Sequence, residues 1–99
     1  MKVSVFCAIG MSTSVVVKKI KKEADAEGIE LDIAAHSVND IETYAPGSDM
    51  ILIGPQIAYR KAEIQTMFPG IPVEAMPMRD YGTGNGKNIL KLILNNVKK

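Results

Sequence analysis

The chain has 99 residues, 46% of them hydrophobic and 23% charged, which predicts one compact domain over residues 1–99 with no room for a second. Twelve basic and eleven acidic residues leave a formal charge of +1, and this balance excludes the one-signed field of a general nucleic-acid binder. The single cysteine cannot form an internal disulfide, no secretory leader is visible, and no apolar run approaches the ~20 residues of a membrane span, so we expect a cytoplasmic protein.

Four short segments have the character of β-strands. The runs "KVSVFC" and "MILIG" are rich in β-branched residues and nearly free of charge, which is typical of strands covered on both faces of a parallel sheet. The run "IELDIAA" alternates between apolar and polar residues, and "PVEAM" begins with proline, so these two suit the edges of a sheet. The predicted strands cover residues 2–7, 29–35, 50–54 and 72–76.

Helical patterns separate these strands. Apolar side chains recur every three to four positions, and glycine or proline stands at the ends of the patterns. The predicted helices cover residues 12–27, 38–44, 55–68 and 85–97. The alternation of strand and helix, with right-handed crossovers, predicts an α/β fold with a four-stranded parallel sheet in the order 2-1-3-4 and helices on both faces. Ligands of such sheets bind beyond the carboxyl ends of strands one and three, and Cys7 ends strand one.

A loop rich in glycine and hydroxyl groups follows Cys7. Its backbone N–H groups and the unpaired N–H groups of the next helix are predicted to converge on one point, which favours an anion. The same donors favour the thiolate form of Cys7, a nucleophile that could take a phosphoryl group into the same cradle. A lone cysteine is more often a small buried apolar side chain, but the loop and the helix start favour function. The predicted phosphate loop consists of Ala8, Ile9, Gly10, Met11, Ser12, Thr13 and Ser14.

Two longer segments carry a family resemblance. "FCAIGMSTS" at residues 6–14 and "ILIGPQIAY" at residues 51–59, together with "PVE" and "YGTGNG", closely resemble the IIB component of the phosphoenolpyruvate-dependent sugar phosphotransferase system, lactose/cellobiose type. The resemblance spans essentially the whole chain. It implies that Cys7 takes a phosphoryl group from a phosphohistidine on a IIA protein and passes it to a sugar held by a membrane-embedded IIC protein. The sugar stays open among a β-glucoside, lactose and a chitin-derived disaccharide.

Two other functions remain as alternatives at this point. Low-molecular-weight cysteine phosphatases share a similar sheet and the pattern of Cys, five residues, Arg and then Ser or Thr. Here Thr13 stands in place of that arginine, although Asp80 could imitate the general acid of a phosphatase. In a non-catalytic phospholigand-binding module, Cys7 would only line the cradle. A redox role is disfavoured because the chain has no second cysteine.

The remaining features have plainer interpretations. Gln56 and Tyr59 follow strand three and are predicted to form part of a docking rim for IIA or IIC. "GTGNGK" predicts a tight turn before the last helix rather than a nucleotide loop, because Asn88 follows the lysine. His36 is predicted to lie at the surface near a strand end. No metal or other cofactor is predicted, and a monomer is expected, because successive docking on two partners needs an accessible rim.

Overall fold

The computed structural model describes residues 1–8 and 10–97, and for residues 10–13 it gives the course of the backbone only. Strands and helices alternate along the chain. The main elements are β1 Lys2–Cys7, α1 Gly10–Ala26, β2 Asp32–Ser37, α2 Ile41–Tyr44, β3 Met50–Ile53, α3 Lys61–Met67, β4 Val73–Ala75, α4 Met78–Thr83 and α5 Gly86–Val97. Two 3₁₀ helices, Val38–Asp40 and Pro55–Arg60, lead into α2 and α3.

The four strands form one parallel sheet in the order β2-β1-β3-β4. β1 and β3 are therefore central, as their unbroken apolar sequences predict, and every residue of β3 is buried. In the register of the sheet, Phe6 of β1 lies beside His36 of β2 and Ile53 of β3. The predicted α/β class, strand order and parallel pairing are confirmed.

Alternation along the strands sends side chains to two separate apolar clusters, one on each face of the sheet. The first face carries α1 and α5, and the second carries α2 and α3. The first cluster consists of Val3, Val5, Val16, Ile20, Ala24, Leu31, Met50, Leu52, Met76, Ile89, Leu90 and Ile93. The second consists of Phe6, Val38, Ile41, Ala45, Ile51, Ile53, Ile57, Ile64 and Val73. Helices thus cover both faces, as predicted.

The second strand begins three residues later than its alternating sequence predicts. Gly28, with φ of +72°, ends the turn after α1, and Ile29 N then donates to Ala24 O at 2.8 Å. Leu31 is 1% exposed, yet it precedes β2 and packs in the first cluster, while Lys21 Nζ donates to its carbonyl at 2.6 Å. Residues 29–31 therefore alternate because they link α1 to β2 and pack beneath α1, and not because they pair with another strand.

The helical segment predicted at residues 55–68 is divided into two parts. Pro55–Arg60 is a 3₁₀ helix in which Ile57 has the non-helical angles φ −119° and ψ 22°, and the α-helix starts only at Lys61. Proline is favoured at the first position of a helical segment. Ile57 is 4% exposed, and its burial in the second cluster fixes the position of the turn.

The helix α4 was not predicted from the sequence. It lies between the strand predicted to end at residue 76 and the helix predicted to begin at residue 85, where only a turn was expected. It ends at Gly84, whose φ of +66° is the left-handed conformation that glycine adopts without strain. Asn85 then caps α5, because its Oδ1 accepts from Asn88 N at 3.1 Å. The expected tight turn is present, between two helices instead of between a loop and a helix.

Candidate functional site

Cys7 is the last residue of β1, and α1 begins three residues later. It therefore lies at the carboxyl end of a central strand, between β2 and β3. By alternation its side chain points to the same face as Val5, which is the face that α1 covers. The residue is 2% exposed, but it belongs to neither apolar cluster of the described residues. The thiol is therefore buried where β1 ends and the chain leads into the first helix.

The neighbouring strand is followed by a glycine that lies directly against Cys7. Gly54 N donates to Phe6 O at 2.9 Å, so the pairing of β1 with β3 continues to the level of the cysteine. A Cβ on Gly54 would stand 3.3 Å from Cys7 Cβ and 2.9 Å from Gln56 Oε1. Since the φ of Gly54 is −67°, space rather than backbone conformation favours glycine there. Sequence reasoning missed Gly54, although a glycine at the end of a central strand is a signal of close approach.

The predicted phosphate loop lies partly outside the described residues. Ala8 and Ser14 are exposed, whereas Ile9 and the side chains of residues 10–13 lie outside what the structure describes. Because α1 begins at Gly10 rather than at the predicted Ser12, most of the predicted loop belongs to the first turns of that helix. The first N–H groups of an α-helix have no partner within the helix, and its N-terminus carries a partial positive charge. An anion on Cys7 would be close to this helix end.

Gln56 and Tyr59 both lie in the 3₁₀ helix that follows β3. Tyr59 is 82% exposed, and the Gln56 side chain turns back towards Gly54. Both predicted rim residues are therefore exposed on the segment after β3, and the Gln56 carboxamide oxygen lies close to Gly54, the neighbour of Cys7.

Two other candidate residues, Asp80 and His36, take part in local networks. Asp80 Oδ1 accepts from Asn88 Nδ2 at 3.1 Å, and this hydrogen bond joins α4 to α5. The ring of His36 stacks on Tyr44 with 3.8 Å between centroids and 5° between planes, and its centroid is 5.8 Å from that of Phe6. His36 lies near the end of β2, as predicted, but it is half-buried among aromatic rings on the opposite face of the sheet from Cys7 rather than fully at the surface.

Burial lowers the pKa of His36 from its ordinary value of 6.5, with Lys2 acting in the same direction and Asp40 opposing them. The imidazole is therefore held towards its neutral form, which suits a ring stacked on aromatic neighbours.

Among residues 1–8 and 10–97, no group of three or more His, Cys, Asp or Glu side chains has the arrangement of a metal site. Within the same residues, no helix is both long and apolar enough to cross a bilayer.

A thiol at the carboxyl edge of a central parallel strand, followed at once by a helix N-terminus, defines a class of α/β proteins in which a cysteine can meet an anion. The profile of one family, described as "PTS system, Lactose/Cellobiose specific IIB subunit", matches residues 2–92. The chain belongs to this family, as the sequence resemblance indicated.

Individual relatives agree with the family profile. The chain is 37% identical over 95 residues to the PTS system galactose-specific EIIB component of Lactococcus lactis subsp. cremoris, covering 89% of this chain and 88% of that protein. Identity and coverage are the same for the cellobiose-specific EIIB component of Lactococcus lactis subsp. lactis. The solution structure of a cellobiose-specific phosphotransferase IIB component from Borrelia burgdorferi aligns with a TM-score of 0.80 at 32% identity, over 98% of this chain and 91% of that chain.

The lactose-specific IIB domain from Streptococcus pneumoniae aligns with a TM-score of 0.82, over 99% of this chain and 98% of that chain. Its identity to this chain is only 19%, so it demonstrates the fold alone. The same fold is therefore found in a protein whose sequence has diverged widely from this one.

Proposed function

We propose that this protein is a phosphoryl carrier of a sugar phosphotransferase system, in which Cys7 is the acceptor. The observation that carries the proposal is the position of Cys7 at the carboxyl end of β1, with α1 beginning at Gly10. The thiolate is negatively charged, and so is the phosphoryl group that Cys7 would carry after transfer. Both would be stabilised by the N-terminus of a 17-residue helix. Membership of the IIB family supports the same assignment.

The proposed chemistry consists of two in-line displacements. The Cys7 thiol loses its proton to solvent, and the thiolate attacks phosphorus. An S–P bond forms as the N–P bond of phosphohistidine on IIA breaks, and the released imidazole nitrogen takes a proton from solvent. In the second step a sugar hydroxyl attacks phosphorus, loses its proton to a base on IIC, and the S–P bond breaks to regenerate the thiolate. Charge on the transferring group lies on its equatorial oxygens, so positioning and backbone donors from residues 8–14 carry the catalysis.

The rim beside Cys7 suits successive docking on IIA and, at the inner face of the cell membrane, on IIC. Tyr59, 82% exposed on the segment after β3, offers a large ring at the end of the sheet where the thiol lies. We expect Tyr59→Ala to raise the KM for phosphorylated IIA. Met67 is a matched control, because it is an exposed apolar side chain at the end of α3, which runs back to the opposite end of the sheet. Met67→Ala should leave the KM unchanged, and equal effects of the two variants would contradict the docking role.

Sequence similarity to relatives does not indicate which sugar is transported. Two relatives with the same 37% identity to this chain have names that specify galactose and cellobiose. We propose that the sugar specificity resides in the membrane component, so that this chain carries phosphate without recognising the sugar.

The decisive experiment is a reconstituted relay. The protein is incubated with phosphoenolpyruvate, the general relay proteins and a candidate IIA, and the added phosphoryl group is located by intact mass and peptide mapping. We expect one phosphoryl group on Cys7 and none on a folded Cys7→Ser variant, because a serine hydroxyl stays un-ionised near neutral pH. Phosphorylation of the serine variant would refute the mechanism. Release of free phosphate as fast as Cys7 is loaded would favour a phosphatase instead.

A further inference from the structure

Resting on the proposed function, we infer that Gln56 is a ligand of the phosphoryl group on Cys7, and not only part of a docking rim. The starting point is the space beside Gly54. The Gln56 side-chain oxygen and Cys7 Cβ lie 2.9 Å and 3.3 Å from the single point where a Cβ of residue 54 would stand. The carboxamide oxygen and Cys7 Cβ therefore border the same space, the one that the missing side chain of Gly54 leaves open.

The local backbone explains why Gln56 turns back in this way. Pro55 restricts Gly54 to an extended conformation, with ψ of 154°, and starts the 3₁₀ helix. Ile57 is anchored in the second cluster and its N–H donates to Gly54 O at 3.1 Å, which closes the turn. Gln56 is held between these two fixed residues, and the missing side chain of Gly54 leaves room for its carboxamide.

The chemistry of the carboxamide suits an anion that appears and disappears. An amide has an acceptor oxygen on one side and a two-proton donor on the other, and rotation about the terminal bond of the side chain exchanges them. A phosphoryl group on Cys7 Sγ offers only acceptor oxygens. The NH₂ group of Gln56, on the segment that follows β3, would then donate to a phosphoryl oxygen.

This role predicts an effect on equilibrium, which docking does not. A residue that only holds the partner changes the forward and reverse rates of transfer alike, whereas a donor to phosphocysteine stabilises one product. We expect Gln56→Leu to lower the equilibrium constant for transfer from phosphorylated IIA to Cys7 by about tenfold to a hundredfold, the size of one hydrogen bond to a charged group. Gln56→Glu should lower it further, because a carboxylate cannot donate and repels the phosphoryl oxygens.

The full-length wild-type protein supplies a second readout with an internal control. The side-chain NH₂ resonances of its glutamines are recorded by ¹H–¹⁵N spectroscopy before and after phosphorylation through phosphoenolpyruvate, the relay proteins and IIA. We expect the Gln56 pair to move. The Gln65 pair should stay in place, because Gln65 Nε2 already donates to the carbonyls of Phe68 and Ile71 at 3.1 Å and 2.7 Å.

The outcomes separate the phosphoryl-ligand role of Gln56 from the function on which it rests. If wild-type Cys7 accepts no phosphoryl group, the proposed function fails and the role of Gln56 fails with it. If Cys7 is phosphorylated but the Gln56 resonances do not move, the phosphoryl-ligand role is overturned while the carrier function stands. The role is also overturned if Gln56→Leu slows transfer but leaves the equilibrium between IIA and Cys7 unchanged, since that result identifies a docking residue.

Discussion

Substitution of Gly86 by alanine tests how closely α5 approaches α1. A Cβ on Gly86 would stand 2.6 Å from both the carbonyl carbon and the carbonyl oxygen of Lys19, and 2.9 Å from Ile20 N. These are backbone atoms in the middle of a 17-residue helix, so the methyl group cannot be accommodated by rotating a side chain. The two helices must move apart, and overpacking of this kind costs about 1–3 kcal/mol. Alanine also favours helix over glycine by up to about 1 kcal/mol, which offsets part of that cost.

Urea unfolding of Gly86→Ala, followed by circular dichroism, measures the balance. We expect the free energy of unfolding to fall by about 1–2 kcal/mol, and the melting temperature of a domain of this size to fall by about 4–8 °C for each kcal/mol. The matched control is Gly82→Ala in α4, where a Cβ would meet nothing within 4 Å and helix propensity alone should give an unchanged or higher stability. If Gly86→Ala is as stable as the Gly82 variant, the inferred close approach of α1 and α5 is incorrect.

Three further substitutions probe other parts of the molecule. Gln65→Leu should lower the free energy of unfolding by about 2–3 kcal/mol in urea titrations, because the carboxamide binds two carbonyls and accepts from Val73 N at 3.1 Å; an unchanged midpoint and slope would contradict this contribution. Ser4→Ala should cost about 1 kcal/mol in the same assay, since Ser4 Oγ lies 2.6 Å from Ser48 Oγ in a buried pair, and a double-mutant cycle with Ser48→Ala should show coupling rather than additivity. Burial lowers the folded-state pKa of His36, so the contribution of the neutral ring to stability is present above the ordinary value of 6.5 and is lost as the pH falls below it. The melting temperature of His36→Phe should therefore depend less on pH between about 7 and 5 than that of the wild type. Parallel curves for the two proteins would oppose this reasoning.

The central sheet was predictable because its signal is strong and local. Lys2–Cys7 and Met50–Ile53 are unbroken apolar runs, and few topologies can bury two such strands in one small domain. The start of β2 was not predictable to the residue. Alternation at Ile29 and Leu31 resembles a strand, whereas pairing with β1 begins only at Asp32, so tertiary contacts with α1 decide the boundary.

The short helices depend on contacts that a linear sequence does not reveal. The sequence of α4 contains Gly82, and the helix is joined to α5 by the hydrogen bond between Asp80 and Asn88, residues separated by a turn. The cysteine was predictable from its place after a central strand. The approach of the Gln56 carboxamide to Gly54 was not, because it depends on the side-chain direction set by a 3₁₀ turn and on the missing Cβ of Gly54.

The sheet separates two apolar clusters that, among the residues the structure describes, have no side chain in common. The effects of substitutions in one cluster on the free energy of unfolding should therefore add to those in the other cluster with little coupling. The cluster beneath α1 and α5 can then change in evolution independently of the cluster beneath α2 and α3. Cys7 is the last residue of β1, the strand whose alternate side chains enter the two clusters. One side of the molecule could therefore change in sequence while the other side keeps Cys7 in its position at the end of β1.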